Sequence, residues 1–351
     1  MQQTLTIEKT YPSTSEVAKA LVLIDIAASH CQAMIRFPGK NSFERFSFES
    51  SVKPLPESDG KAFKILSGKS ATAPLRVGNA GEQIEEFRTG ANVEGKAINA
   101  KALLIHAIFQ AIALPQTDTF HADIIFTNPH DAKYGPEICK ALKGQHTVVF
   151  EPHFEALGAE SKTYRLHFHD VFSDMEGRRA FYLIPSEQLE ENILLIDIGS
   201  MTNLIYCMGK HGGIIDNQWD AIPHKGVHAI AEQVKRDGLL SDLIEHCAST
   251  HNIIDVLFSP LALEGKAKDK LTAKLSKALQ PVYEQNFTRL NQVAAKFGDG
   301  KRFIVGGGAS LPGLAEYLNA QPVGTDPQWA ALEGLAAIAD KYIAAKRKQG
   351  A

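Results

Sequence analysis

Two aliphatic runs in this chain each end in a single acid. Leu21-Val22-Leu23-Ile24-Asp25-Ile26 leads into Ala27-Ala28-Ser29-His30, and Ile193-Leu194-Leu195-Ile196-Asp197-Ile198 leads into Gly199-Ser200-Met201-Thr202-Asn203. A carboxylate at the end of a buried apolar strand is costly unless it meets a cation or hydrogen-bond donors. The small-residue turn that follows exposes consecutive backbone N–H groups, which can cradle phosphate. A carboxylate beside such a cradle can hold hydrated magnesium, which prefers carboxylate, water and phosphate oxygens together. Either Asp alone could do no more than cap the turn after it. Two in matching context favour a pair of phosphate clamps.

Sliding the chain against itself by 172 residues (197 − 25) places Leu23-Ile24-Asp25-Ile26 on Leu195-Ile196-Asp197-Ile198. A small-residue turn and a second apolar strand follow each copy, Cys31 to Phe37 and Asn203 to Met208. Internal duplication, and hence a pair of related domains, accounts for both flanks. A third feature lies late in the chain, where Arg302-Phe303-Ile304-Val305 runs into Gly306-Gly307-Gly308-Ala309. Glycines at a strand end let backbone approach a flat ligand such as a purine or its α-phosphate. A glycine triplet by itself is more often a plain turn.

The elements that must position these residues alternate between strand and helix. Strands are expected over 20–27, 31–37, 43–49, 123–129, 145–150, 164–169, 193–198, 202–208 and 302–305. Leu104, Ile105, Ile108, Phe109 and Ile112 recur at helical spacing within 96–114. Val227, Ile230 and Val234 do so within 224–237, and a long helix is expected over 268–296, kinked at Pro281. Two short helices close the chain. This is an α/β architecture.

The bulk composition excludes several classes. With 351 residues, two domains or one large α/β unit are expected. A net charge of −3 gives no general attraction to nucleic acid or anionic membrane. No run approaches the roughly 20 apolar residues that span a bilayer. The first residues lack the basic start and apolar core of a secretory signal, so a cytoplasmic location is expected. Cys31, Cys139, Cys207 and Cys247 are scattered, with no C-x-x-C pair, which reads as reduced thiols. His167 and His169 could chelate a metal from one strand face, but no third ligand is legible and a wet strand face explains them as well. Ser13 to Glu16 reads as a helix-capping box within an extension of about 18 residues ahead of the first strand.

Taken together, LVLIDIAASHCQAMI, LLIDIGSMTNLIYCMGK and FIVGGGA resemble the actin, sugar-kinase and chaperone-ATPase superfamily. Within it they most resemble the bacterial plasmid-segregation actins of the ParM/StbA type. Two intermediate pieces share the likeness, the helix and strand ending in Thr127-Asn128-Pro129 and the segment HDVFSDMEGRRAFY. The resemblance covers most of the chain from about residue 20. It implies a duplicated, ribonuclease H-like α/β fold of two domains with a nucleotide cleft between them. Domain I is expected over 1–165, with a small peripheral subdomain within about 40–95, domain II over 166–322, and 323–351 as a C-terminal helix returning to domain I.

The same resemblance implies a filament-forming ATPase in DNA segregation or intracellular positioning. Its cofactors are ATP, with GTP as the alternative, and Mg2+. Its partners are further copies of itself and a DNA-bound adaptor, without direct nucleic-acid binding or membrane insertion. Asp25 and Asp197 are expected to hold the metal through its waters. Ala27, Ala28, Ser29 and Gln32 on one side, and Gly199, Ser200, Met201 and Thr202 on the other, are expected at the phosphates. Gly306, Gly307 and Gly308 are expected along the adenosine, and Glu232 and Lys235 at the ribose and base, although charges on an amphipathic helix are commonly just its wet face. Glu176 falls where these proteins keep the glutamate that positions the attacking water, a role that competes with that of a solvated loop carboxylate.

The chain departs from the family where relatives carry D-x-G. Here Ala27-Ala28 follow Ile26, and alanine methyls crowd a phosphate approaching the backbone. Gln32 stands at the usual lysine or glutamine position, and Met175 at a frequent proline. Altered affinity or slow hydrolysis is one consequence. A non-polymerising scaffold or a small-molecule kinase of the same superfamily are the alternative functions.

Overall fold

The computed structural model of the chain describes residues 17–26, 30–50, 52–54, 63–67, 70–72, 75–77, 93–111, 118–150, 162–189, 192–244 and 249–350. Its first sheet contains β1 (Ala20–Ile26), β2 (His30–Arg36), β3 (Glu44–Glu49), β4 (Val52–Pro54), β5 (Phe63–Ser67), β6 (Ser70–Ala71), β7 (Leu75–Val77), β8 (Thr119–Asn128), β9 (Gly144–Phe150) and β10 (Lys162–Met175). The order is β3-β2-β1-β8-β10-β9-β5-β7-β4, with β6 beside β5. The segment expected as a peripheral subdomain thus extends the main sheet, through β3 on β2 and β5 on β9.

Strand β1 is an unbroken apolar run as far as Asp25 because both its faces are covered. Val22 and Ile24 pack with Leu104, Ile105 and Ile108 of helix α1 (Val93–Ala111). Leu21 and Leu23 face the last helix, which meets them through Leu332, Leu335, Ala339 and Ile343. Helix α2 (Asp131–Leu142) adds Ile138 and Leu142 to the first of these cores.

The second sheet contains β11 (Asn192–Ile198), β12 (Thr202–Gly209), β13 (Ile214–Pro223), β14 (Lys301–Val305) and β15 (Ala320–Pro322), in the order β13-β12-β11-β14-β15. Its elements continue as α3 (Val227–Arg236), α4 (Ser241–Ile244), α5 (Thr250–Phe258), α6 (Gly265–Asn286), α7 (Thr288–Phe297), α8 (Leu314–Tyr317) and α9 (Ala330–Gly350). Leu194, Ile196 and Ile304 bury one face against Ile230, Val234, Leu275 and Leu279. Leu195, Tyr206 and Phe303 bury the other against Ala180 and Phe181 of a 3-10 turn over Arg178–Leu183.

The duplication holds at the level of register. Asp25 lies opposite Gln32 in the β1–β2 hairpin and Asp197 opposite Leu204 in β11–β12, so the shift of 172 carries each pair onto the other. In both sheets the Asp-bearing strand then pairs in parallel with a later one, β1 with β8 and β11 with β14.

Two expectations need correction. The strand expected over 164–169 runs on as β10, paired with β8 as far as Met175 and past the expected boundary at 165/166. A register shift between Phe168 and Val171 interrupts the alternation there, so the sequence pattern stops at 169. The helix expected over 268–296 breaks at Phe287 (φ −103°, ψ 6°), and its first part continues through Pro281. Burial of the Phe287 ring beside Tyr283 and Tyr317 sets that corner. After the short α8 the chain ends in the 21-residue helix α9.

His167 and His169 do share a face, and His121 joins them, its Nδ1 2.9 Å from His169 Nε2 and its ring stacked on His167 at 4.7 Å. Among the described residues no group of three His, Cys, Asp or Glu side chains is placed to hold a metal ion. Cys31, Cys139 and Cys207 are free thiols, and Cys247 lies outside the described residues. No described helix is long and apolar enough to cross a membrane.

Candidate active site

Both acids sit at the carboxyl ends of parallel strands, where open α/β sheets bind ligands. Asp25 accepts a hydrogen bond from Thr127 Oγ1 at 2.7 Å, across the β1–β8 pair. Asp197 is the more deeply buried, at 9% exposure, and no Lys or Arg among the described residues pairs with it. Burial, and then the nearby charge of Asp25, pushes its carboxyl up from 3.8 to about 7. Two glycines wall it in. Gly177 (φ +68°) comes so close that a Cβ there would lie 2.6 Å from the Asp197 Cβ. Gly306 (φ +84°) packs against the carboxylate from the other side, and a Cβ there would also lie 2.8 Å from the Ile198 carbonyl oxygen. Positive φ and absent Cβ are both required at these two positions.

A carboxyl held in this way titrates with a definite sign. Its folded pKa lies above its unfolded one, so its stabilising contribution is complete below about pH 4 and is lost as pH rises through about 7. Thermal melts of the magnesium-free protein and of Asp197→Asn between pH 5 and 8.5 are expected to show the variant gaining on the parent as pH rises. A constant difference would refute the buried acid.

The turn after Asp197 is tied down by the start of α3. Gly199 N–H donates to Thr202 O at 3.0 Å, Val227 N–H to Gly199 O at 3.1 Å, His228 N–H to Ser200 O at 2.9 Å, and Lys225 N–H to Met201 O at 3.3 Å. The third motif forms a tight turn over Gly307–Ser310, with Gly306 N–H donating to Pro327 O at 2.9 Å and Gly308 packed on Ile198. Glu176 occupies the turn where the chain leaves β10. Its N–H donates to Asn128 O at 3.0 Å and its carbonyl accepts from Tyr206 O–H at 2.8 Å, so it is held from both sheets.

One cleft brings together Asp25, Gln32, Ser200 and Gly307 from the expected set. Gln32 is 5% exposed, and its Nε2 has no acceptor among the described residues. Ala27, Ala28 and Ser29 lie outside the described residues. Glu232 and Lys235 do not line the cleft. Both are exposed on α3, where Glu232 pairs with His228 one turn back at 3.2 Å. α3 turns its first residue, Val227, towards the cleft, and α5 supplies the wall with Ile254, Asp255 and Phe258. His30, Leu261, Ser310 and Gln328 complete a lining that the motifs did not reveal. His30 was within reach of pattern reasoning, because it shares a strand face with Gln32 two residues on.

The arrangement is that of duplicated half-domains whose matching acids lie near each other, with Asp25 at the cleft and Asp197 buried behind it. No protein-family model matches the chain, and no curated protein matches it. Solved structures do. The actin-like protein Alp7A superposes with a TM-score of 0.68 at 13% identity, over 94% of this chain and 98% of that one. The fold is actin-like. ParM of Bacillus thuringiensis solved with ATP matches at a TM-score of 0.61 and 15% identity, over 91% and 98% of the two chains. The archaeal actin homolog Ta0583 matches at 0.59 and 15%, over 92% and 99%. The same ParM was also solved with AMPPNP and with ADP. The residues of this actin-like chain fit a hydrated divalent cation. Asp25 lines the cleft, and the buried Asp197 lies near enough that the charge of Asp25 adds to burial in raising its carboxyl, so the two carboxylates share one neighbourhood.

Proposed function

We propose that the chain is a nucleotide-dependent, filament-forming actin-like ATPase that serves DNA segregation or intracellular positioning through an adaptor. The observation that carries this reading is the pair of hairpins in identical register, each bearing an acid close enough to the other for their charges to interact, with Asp25 lining the cleft. Asp25 and Asp197 hold magnesium through its waters, and the bound metal nucleotide supplies a polarised γ-phosphate. Ser200 and the backbone of Gly199 to Thr202 bind phosphate oxygens, Gln32 donates from the opposite hairpin, and Gly306 to Gly308 let backbone approach the nucleoside. Glu176 orients the attacking water. Its backbone ties to Asn128 and Tyr206 make its position depend on how the two sheets sit together.

Light scattering and pelleting with ATP, GTP, a slowly hydrolysed analogue and no nucleotide test this. Sedimentation only with nucleotide is expected, and the slowly hydrolysed analogue should prolong it. Absence of pelleting under every nucleotide would sink the filament reading. The alanines of the first loop favour a second one, a scaffold that binds nucleotide without assembling. Tight binding without pelleting would establish it. Phosphorylation of a small acceptor would move the protein to the kinases.

A further inference from the structure

A third acid interrupts an aliphatic run in this chain, in Ile253-Ile254-Asp255-Val256-Leu257-Phe258 of α5. Ile253 and Leu257 are fully buried in the second domain's core, which fixes the rotation of the helix and turns Ile254, Asp255 and Phe258 to the cleft. Leu261, 56% exposed, extends the same apolar wall. Asp255 has no hydrogen-bond or ion-pair partner among the described residues. The cleft wall is therefore an apolar surface bearing one free acceptor pair.

Such a surface suits the face of a base better than a hydroxylated sugar. The two purines differ in what they offer a carboxylate. Guanine presents N1–H and N2–H side by side, a donor pair that matches both oxygens, as an amidine-like fork does. Adenine presents a lone pair at N1, which a carboxylate repels. Sites built to accept a ligand N–H reject analogues without it far more strongly than apolar pockets reject a change of shape. Ser310 and Gln328, in the same lining, are the donors available to the guanine O6.

We propose that this cleft selects guanine over adenine nucleotides, with Asp255 as the residue that reads the base. This rests on the nucleotide-binding reading above.

Competition binding on the full chain with GDP, ADP and xanthosine diphosphate in magnesium tests it. GDP is expected to bind at least about tenfold more tightly than ADP. Asp255→Asn should weaken GDP by about tenfold and strengthen the xanthosine nucleotide similarly, because the amide donates to the xanthine O2 while still accepting from N1–H. ADP should change little. Asp255→Ala should bring GDP and ADP within about threefold of each other without any gain for xanthosine diphosphate. Equal affinities or an adenine preference in the parent would overturn the proposal, as would a guanine preference that survives Asp255→Asn. Equal weakening of GDP and ADP would assign Asp255 to the ribose or to the fold, and also overturn it. Failure of all three nucleotides to bind the parent would remove the nucleotide reading itself.

Discussion

Asp197→Asn is expected to lose magnesium-dependent nucleotide binding by at least roughly 100-fold, and nucleotide-dependent assembly with it, while melting a few degrees above the parent at pH 8. The two effects have one cause. The carboxylate sits at 9% exposure between Gly177 and Gly306, without a basic partner among the described residues. Ionising it in that position, beside the charge of Asp25, is unfavourable enough to push the group up to about 7. Asparagine keeps the shape and removes the charge, so the folded state no longer has to hold an uncompensated anion near neutral pH. A hydrated divalent cation needs that anion, because a neutral amide oxygen accepts more weakly from the metal's waters and offsets none of its charge. A site that is destabilising without its ligand and necessary with it has this signature of stability gained and function lost. Normal assembly and ATP turnover in the variant would refute the assignment of Asp197. A lower melting temperature at pH 8 would refute the cost of its burial.

The parts of the fold that could be read directly are those whose burial is unconditional. β1 and β11 are covered on both faces, so their aliphatic runs stand out whatever the surroundings. Elements whose identity depends on a distant partner stayed hidden. Helix α2 carries Gly135 and Pro136, which read locally as a break, yet it is held by packing on β10, with Gly135 against Ser173. Strand β13 exposes much of its length, and Asp216 and Asn217 at positive φ disrupt its alternation. Pro281 looks like the natural break of the long helix, but the break follows the buried ring of Phe287 six residues later.

The same distinction applies to the site. Acids at strand ends announce themselves because nothing apolar would place them there. The base-side wall does not, since Ile254 and Phe258 resemble any core residues until the rotation of α5 shows which face reaches the cleft. Glu232 and Lys235, exposed on α3 and outside the cleft lining, show that an amphipathic helix fixes which residues are wet but not which of them line a cleft.

Gly334→Ala reverses the sign that local propensity suggests. Alanine is the best helix former and glycine among the worst, so in an exposed helix the change would stabilise by about 1 kcal/mol. In α9 the added methyl would lie 2.5 Å from the carbonyl carbon of Arg179 and 2.9 Å from the backbone nitrogen of Ala180. Backbone cannot step aside as a flexible side chain can. It is held here from several directions, since Arg179 pairs with the buried Asp174 and lies 5.1 Å from the Tyr342 ring, and Tyr342 O–H donates to Ser173 O at 2.6 Å. Moving α9 instead would strain its contacts with the first sheet at Leu335 and Ala339, and its ion pairs from Arg347 to Asp123 and Asp170. Overpacking of this kind costs about 1–3 kcal/mol or more, which exceeds the propensity gain. The expected result is a melting temperature several degrees below the parent, whereas Gly213→Ala, where an added Cβ meets nothing within 4 Å, should be close to neutral. The contact also spans the crossing between the two sheets, so the variant should lose cooperativity between nucleotide binding and assembly before it loses nucleotide binding. A Gly334→Ala protein as stable as the parent would show that α9 is free to slide on that crossing, and that closure of the cleft is not read out through it.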